Sequence, residues 1–157
     1  MQKSTKIIIL LSRLTLGWLM FYAGITKVLD PTWSAAGYLN NAKTLTGFFQ
    51  WLAQPNILPF INFINEWGLT LLGVSLLLGA FVKLSSWLGV LLMLLYYLPA
   101  SVFPYVDHGF LVDEHIIYIL VLILFTNVKA GRIWGLDDWL AKLPLCQRWY
   151  KDKSLIG

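Results

Sequence analysis

Four apolar stretches, at about residues 7–29, 60–82, 85–103 and 111–128, constrain this chain more than any other feature. Each approaches the roughly 20 residues that a helix needs to cross about 30 Å of hydrocarbon. Lipid offers no partner for backbone N–H and C=O groups, so segments of this kind must close their hydrogen bonds internally, as helices do. Composition agrees: 58% of residues are hydrophobic and 13% charged, against about 25% charged in a soluble domain. The expected fold is all-α, a polytopic four-helix membrane bundle forming a single domain over residues 1–157. Lys3 and Lys6 ahead of the first stretch resemble the start of a secretory leader. Arg13 interrupts that stretch, however, and Tyr22-Ala23-Gly24 is a poor cleavage site, so it reads as a retained span.

Loop charges set the expected orientation. Lys3, Lys6, Lys83, Lys129, Arg132, Lys142, Arg148, Lys151 and Lys153 all fall on one side of a four-span arrangement, and only Lys27 and Lys43 on the other. The second side instead carries Asp30, Asp107, Asp113 and Glu114. Positive residues stay in the cytosol, which predicts two cytoplasmic termini and a multi-pass protein of the inner (plasma) membrane. The net charge of +4 thus reports topology, and a nucleic-acid partner is not expected.

Two segments do not span. In the first external loop, Leu45, Phe48, Phe49 and Leu52 recur at helical spacing opposite Asn41, Lys43, Thr44 and Gln50. This predicts an amphipathic helix lying in the outer interface, acting either as a lid or as a plain anchor. After the fourth span, Asp137 is placed to cap a short turn carrying Trp139, Leu140 and Leu143 on the inner leaflet.

Residue counts exclude several chemistries. Cys146 is the only cysteine, which removes intramolecular disulfides, CxxC redox pairs and thiolate-ligated zinc or iron–sulfur sites. The two histidines are His108, in a loop, and His115, a poor pair for bis-histidine haem. No metal, haem or flavin is expected.

The polar residues inside the apolar spans are the functional candidates, because an ionisable group near the bilayer centre costs about 2.5–3.5 kcal/mol and needs a partner or a use. Arg13, Gly17, Met20, Gly24 and Lys27 share one helical stripe, and its glycines admit a neighbouring helix. Asn62, Glu66, Thr70 and Gly73 repeat the pattern on the second span, and Glu114 and His115 lie one turn before Tyr118 on the fourth. The alternating directions of the spans bring Lys27, Glu66, Glu114 and His115 together toward the external side. Arg13 is left near the cytoplasmic side, with helix-end carbonyls or a headgroup phosphate as partners. Lys27 with Glu66 reads either as an ion pair fixing helix register or as part of a proton-coupled site, and Lys27 can also snorkel to water. His115 is either hydrogen-bonded at a helix start or catalytic. Tyr96, Tyr97 and Tyr118 read as packing or interface residues, with Tyr118 the one assigned to the pocket. The candidate catalytic residues are Glu66, Glu114 and His115, and the candidate substrate-binding residues are Lys27, Arg13 and Tyr118.

Arg13-x3-Gly17 followed by Phe21-Tyr22-Ala23-Gly24-Ile25-x-Lys27 resembles the opening helix of the DoxX/DoxD membrane proteins. Asp30-Pro31-x-Trp33-Ser34-Ala35-x-Gly37-Tyr38-Leu39 is similar to the DoxD branch. Glu66-Trp67-Gly68, Asp113-Glu114-His115 and the closing Trp134-Gly135-Leu136-Asp137 match the family in order and spacing. The resemblance implies a compact four-helix membrane domain. DoxD proteins are named for a subunit of thiosulfate:quinone oxidoreductase, which oxidises thiosulfate to tetrathionate and passes electrons to quinone. The function so implied is a membrane subunit of a quinone-linked oxidoreductase, with quinone as a dissociable substrate and a separate redox subunit as partner. Self-association as a homo-oligomer is a further option. The alternative is a non-enzymatic membrane scaffold or assembly factor, and a small-solute transporter ranks third.

Overall fold

A computed structural model describes residues 1–100, 102, 104–106 and 109–143. The third span's expected end at 103, the loop roles of Asp107 and His108, and Cys146, Arg148, Lys151 and Lys153 lie outside the described residues.

The chain is mostly helical, in the order α1 (Lys3–Val28), α2 (Ala36–Asn40), α3 (Thr46–Leu52), α4 (Leu58–Leu78), α5 (Val82–Ala100), β1 (Tyr105–Val106), β2 (Gly109–Phe110), α6 (Glu114–Asn127), a 3₁₀ turn (Ala130–Arg132) and α7 (Asp137–Leu140). Three of these, α1, α4 and α5, are long and apolar enough to cross a membrane; α6 is apolar but shorter. The stretch expected to span 111–128 forms only 14 helical residues, about 21 Å at 1.5 Å per residue. Its start is set by Asp113, whose carboxylate accepts the backbone N–H of Ile116 at 3.1 Å and leaves Leu111 and Val112 outside the helix. Its end is set by Lys129, which adopts a left-handed φ of 53°. The all-α expectation needs one amendment: β1 and β2 pair as a small antiparallel hairpin, with Tyr105 opposite Phe110 and Val106 opposite Gly109. Aromatic and β-branched residues favour that pairing.

The long helices associate as two close pairs, α1 with α4 and α5 with α6, joined by a looser contact between α4 and α5. Small residues make the first pair possible. A β-carbon on Gly24 would overlap the backbone of Thr70, and one on Gly73 would overlap that of Phe21. The helix backbones therefore meet where side chains would hold them apart. The core running along the pairs includes Met20, Leu72, Leu76, Leu122 and Phe125.

Proximal here means the end of the molecule where α1 begins, and distal the opposite end. The amphipathic helix expected in the first loop forms as α3, and a further short helix, α2, precedes it. Phe49 is 1% exposed in a second core with Ala35, Leu39 and Ala42, packed against Leu58, Ile61 and Leu98 of α4 and α5. Leu45, Phe48 and Trp51 remain exposed. The stripe divides because Leu45 takes a left-handed φ of 52° just before α3, leaving it outside the helix it was expected to join.

The proximal end is closed by the segment after α6. Asp137 does not cap its own turn, as the sequence suggested. Its carboxylate instead accepts the N–H of Phe81 at 2.6 Å and of Val82 at 3.3 Å, the first donors of α5. Phe81 is itself left-handed at φ 55°, two residues after Gly79 at 67°, so Asp137 fixes a link that bulky residues seldom form.

Candidate functional site

The polar residues of the spans collect at two places. The distal one joins four elements. Lys27, in the last turn of α1, donates to Asn65 Oδ1 of α4 at 3.0 Å and to Tyr96 OH of α5 at 2.7 Å. Tyr96 OH donates in turn to Asn65 Oδ1 at 2.7 Å, closing a triangle. The ammonium also lies 4.9 Å from the ring centroid of Trp33, in the loop after α1. On its other side the Tyr96 ring stacks on His115 of α6, with centroids 5.7 Å apart and planes 14° from parallel. Tyr118 meets the His115 ring edge-on at 6.4 Å.

The loop and the cap of α6 hold this arrangement. Tyr38 OH donates to the carbonyl of Tyr96 at 2.5 Å. Asn62 Oδ1 accepts the N–H of Ala35 at 3.0 Å, tying the loop to α4. Asp113 uses one carboxylate oxygen as the cap of α6 and the other to meet His115 Nδ1 at 2.7 Å. A carboxylate only accepts, so Nδ1 carries the hydrogen and Nε2 of the neutral imidazole can take a proton.

Of the sequence candidates, Lys27, His115 and Tyr118 are brought together here. Glu66 is half-buried nearby and acts on Lys27 through its charge, but no hydrogen bond or ion pair joins the two among the described residues. The partners of Lys27 are Asn65, one position earlier, and Tyr96. Glu114 is exposed, on the first turn of α6. Asn65 was missed and Tyr96 read as packing. The available signal was spacing: Asn65 precedes Gly68 by three residues on α4, and Tyr96 follows Leu92 by four on α5. Tyr97, beside Tyr96, faces elsewhere and donates to the carbonyl of Leu111 at 2.8 Å.

Arg13 sits at the proximal end, far from this cluster along α1. Its side chain is 1% exposed, and Nη1 donates to the carbonyls of Ala130 at 2.6 Å and Ile133 at 3.2 Å. Nη2 reaches the Trp134 carbonyl at 3.5 Å. Gly79 and Gly135 make the space: a β-carbon on either would fall 2.6 to 2.8 Å from Nη1. Asp137 supplies the compensating charge. Helix-end carbonyls were one of the two partner types expected from the sequence.

Chemically, the distal cluster offers a cation with two of its three donors used, a phenol, an imidazole tied to a carboxylate, and aromatic faces on both sides. Such a set can hold a planar, oxygen-bearing molecule and exchange protons with it. The sequence model of the DoxX family matches residues 8–101, more than half of the chain. No curated protein and no solved structure gives a significant match.

Proposed function

The chain belongs to the DoxX family, and from that premise we propose that this multi-pass membrane protein is the quinone-binding subunit of an oxidoreductase. The observation that carries the reading is the Lys27–Tyr96–Asn65 triangle with His115 stacked on Tyr96. In this reading α6 and its flanks complete a fourth crossing, the termini face the cytoplasm of a plasma (inner) membrane, and the distal cluster lies near the outer surface. Lys27 gives its third N–H to a quinone oxygen, Tyr96 turns its hydroxyl proton from Asn65 to the same oxygen, and His115, relayed by Asp113, exchanges its protons. Glu66 balances the charge of Lys27. The donor fitting the DoxD-like resemblance is thiosulfate, handled by a partner subunit. Two thiosulfate ions lose two electrons in forming the new S–S bond of tetrathionate, and the quinone takes those electrons with two protons to become quinol.

The test is the quinone content of the protein in native-lipid discs, measured by mass spectrometry at equal lipid. Wild type is expected to hold quinone above the bulk membrane ratio, and Lys27→Met to lose the excess. A bulk ratio in both would refute the reading.

A scaffold role is the second reading, favoured by the fact that Lys27 already ties α1 to α4 and α5. It predicts that Lys27→Met loosens the fold and releases a partner protein with no quinone involved.

A further inference from the structure

A groove of about 760 Å³ runs between α4 and α5, and the functional reading above makes no use of it. Its size falls within the roughly 300–1,000 Å³ of ligand pockets. The walls are apolar apart from Ser75 and Ser85, and those two hydroxyls satisfy each other at 2.6 Å. The groove exists because α4 and α5 pack loosely and because Gly68 leaves one wall without a side chain. Ala80 and Phe81 of the α4–α5 link close its proximal end.

At its distal end the groove reaches Ile64 and Leu95, the residues directly before Asn65 and Tyr96. Asn65 lies three residues from Gly68 and seven from Leu72; Tyr96 lies four from Leu92 and seven from Gly89. These offsets put both polar residues on the same helical stripes as the groove walls. The hydrogen-bonded triangle therefore adjoins the distal end of the groove, one residue beyond its lining on each helix.

We propose that this groove holds the isoprenoid chain of a membrane quinone whose ring lies against Lys27 and Tyr96. The inference rests on the quinone reading and adds to it the class of quinone: one with a long apolar chain. A polar end with hydrogen-bond donors, adjoining an apolar channel along the helices, fits an amphiphile lying parallel to α4 and α5. A neutral head suits the site better than a phosphate, because the charge of Glu66 already acts on Lys27 and Asp113 stands against His115.

Gly68 provides the test. A β-carbon there meets only Leu92 Cδ2, at 3.7 Å, so a side chain can enter the groove without moving backbone. Binding of a long-chain ubiquinone and of the chain-free benzoquinone with the same head is compared in wild type, Gly68→Phe and Leu88→Trp, the last on the exposed opposite wall. Wild type is expected to prefer the long-chain ligand. In the filled variants its affinity falls roughly tenfold, while the chain-free ligand binds as before. Unchanged long-chain binding in both variants overturns the groove assignment and leaves the quinone reading standing. Equal loss of both ligands places the effect at the head and also overturns it. Failure of wild type to bind either ligand overturns the quinone reading itself. Loss of a copurified phospholipid, or of a dimer, in place of quinone gives the groove to that occupant instead.

Discussion

Arg13 Nη1 donates to the carbonyl oxygen of Ala130 at 2.6 Å, joining positions 117 residues apart in the chain. This bond turns a buried cation, costly in an apolar interior, into the organiser of the proximal end. The 3₁₀ turn, Trp134 and Gly135 gather around the guanidinium, and Asp137 beyond them closes on the start of α5. The polar residues of α1 thus have separate duties: Arg13 assembles one end and Lys27 ties α1 to α4 and α5 at the other.

Removing Arg13 takes the guanidinium donor from the carbonyls of Ile133 and Trp134, leaves Ala130 with only the N–H of Ile133, and removes a positive charge near Asp137. Arg13→Ala is expected to destabilise by about 2–4 kcal/mol, seen as a lower midpoint of thermal unfolding in detergent. Arg13→Lys keeps the charge but loses the planar fork and falls between the two. A midpoint unchanged in Arg13→Ala would show that the proximal end closes without the guanidinium.

Asp137 predicts a graded series. Asp137→Asn retains one acceptor oxygen for the N–H groups of Phe81 and Val82, whereas Asp137→Ala retains none. Losing a helix cap costs roughly 0.5–2 kcal/mol, so the alanine variant should lie at or beyond the upper end of that range. Hydrogen exchange should locate the loss at the N–H groups of Phe81 and Val82. Fast exchange confined to α7 would place the cap where the sequence first suggested it.

The placement of Arg13, Lys27 and His115 at opposite ends was legible because hydropathy fixes depth and alternating spans fix direction. Partner identity was not. Asn65 and Glu66 are neighbours 100° apart on α4, and only the rotation of α4 against α1 decides which one meets Lys27. Asp137 was read as a local cap because the donors it serves lie more than fifty residues away at the start of α5. The length of α6 was overestimated because Leu111 and Val112 are apolar, and hydropathy does not register that Asp113 starts the helix after them.

Two glycines of similar appearance should respond oppositely. A β-carbon at Gly24 overlaps Thr70 backbone, so Gly24→Ala must push α1 from α4 and is expected to lower the yield of folded monomer sharply. Gly68 has open space on its side of α4, and Gly68→Ala should be neutral or stabilising by about 0.5–1 kcal/mol through reduced backbone freedom. Size-exclusion profiles and thermal midpoints of the two variants test the contrast. Equal behaviour would mean that the α1–α4 approach does not depend on the missing side chain.

Asp30, in the turn after α1, titrates below the ordinary aspartate range. The hydroxyl of Thr32 donates to its carboxylate at 2.6 Å and the Thr32 N–H at 2.9 Å. A depressed folded value means that the turn is stabilised above the ordinary aspartate range and loses that stabilisation as pH falls through the folded value. Thr32→Ala should raise the Asp30 value toward the ordinary one, followed by carbonyl-carbon NMR of the side chain. No change on losing the hydroxyl would remove the hydrogen bond as the cause.

Tyr96→Phe tests the site most directly, since it removes one hydroxyl and keeps the ring that stacks on His115. Lys27 and Asn65 each lose a partner while the contact with α6 is retained. If that hydroxyl serves a quinone oxygen, turnover with the partner subunit should fall roughly 10–100-fold, with little change in thermal midpoint. Glu114→Gln, at an exposed position one turn from Tyr118, should lose much less. A scaffold predicts the reverse for Tyr96→Phe: a lowered midpoint from the broken tie between α1 and α5, and no chemistry to lose. Measuring turnover and stability on the same preparation separates the two, because only a site that handles substrate lets the hydroxyl matter more to rate than to folding.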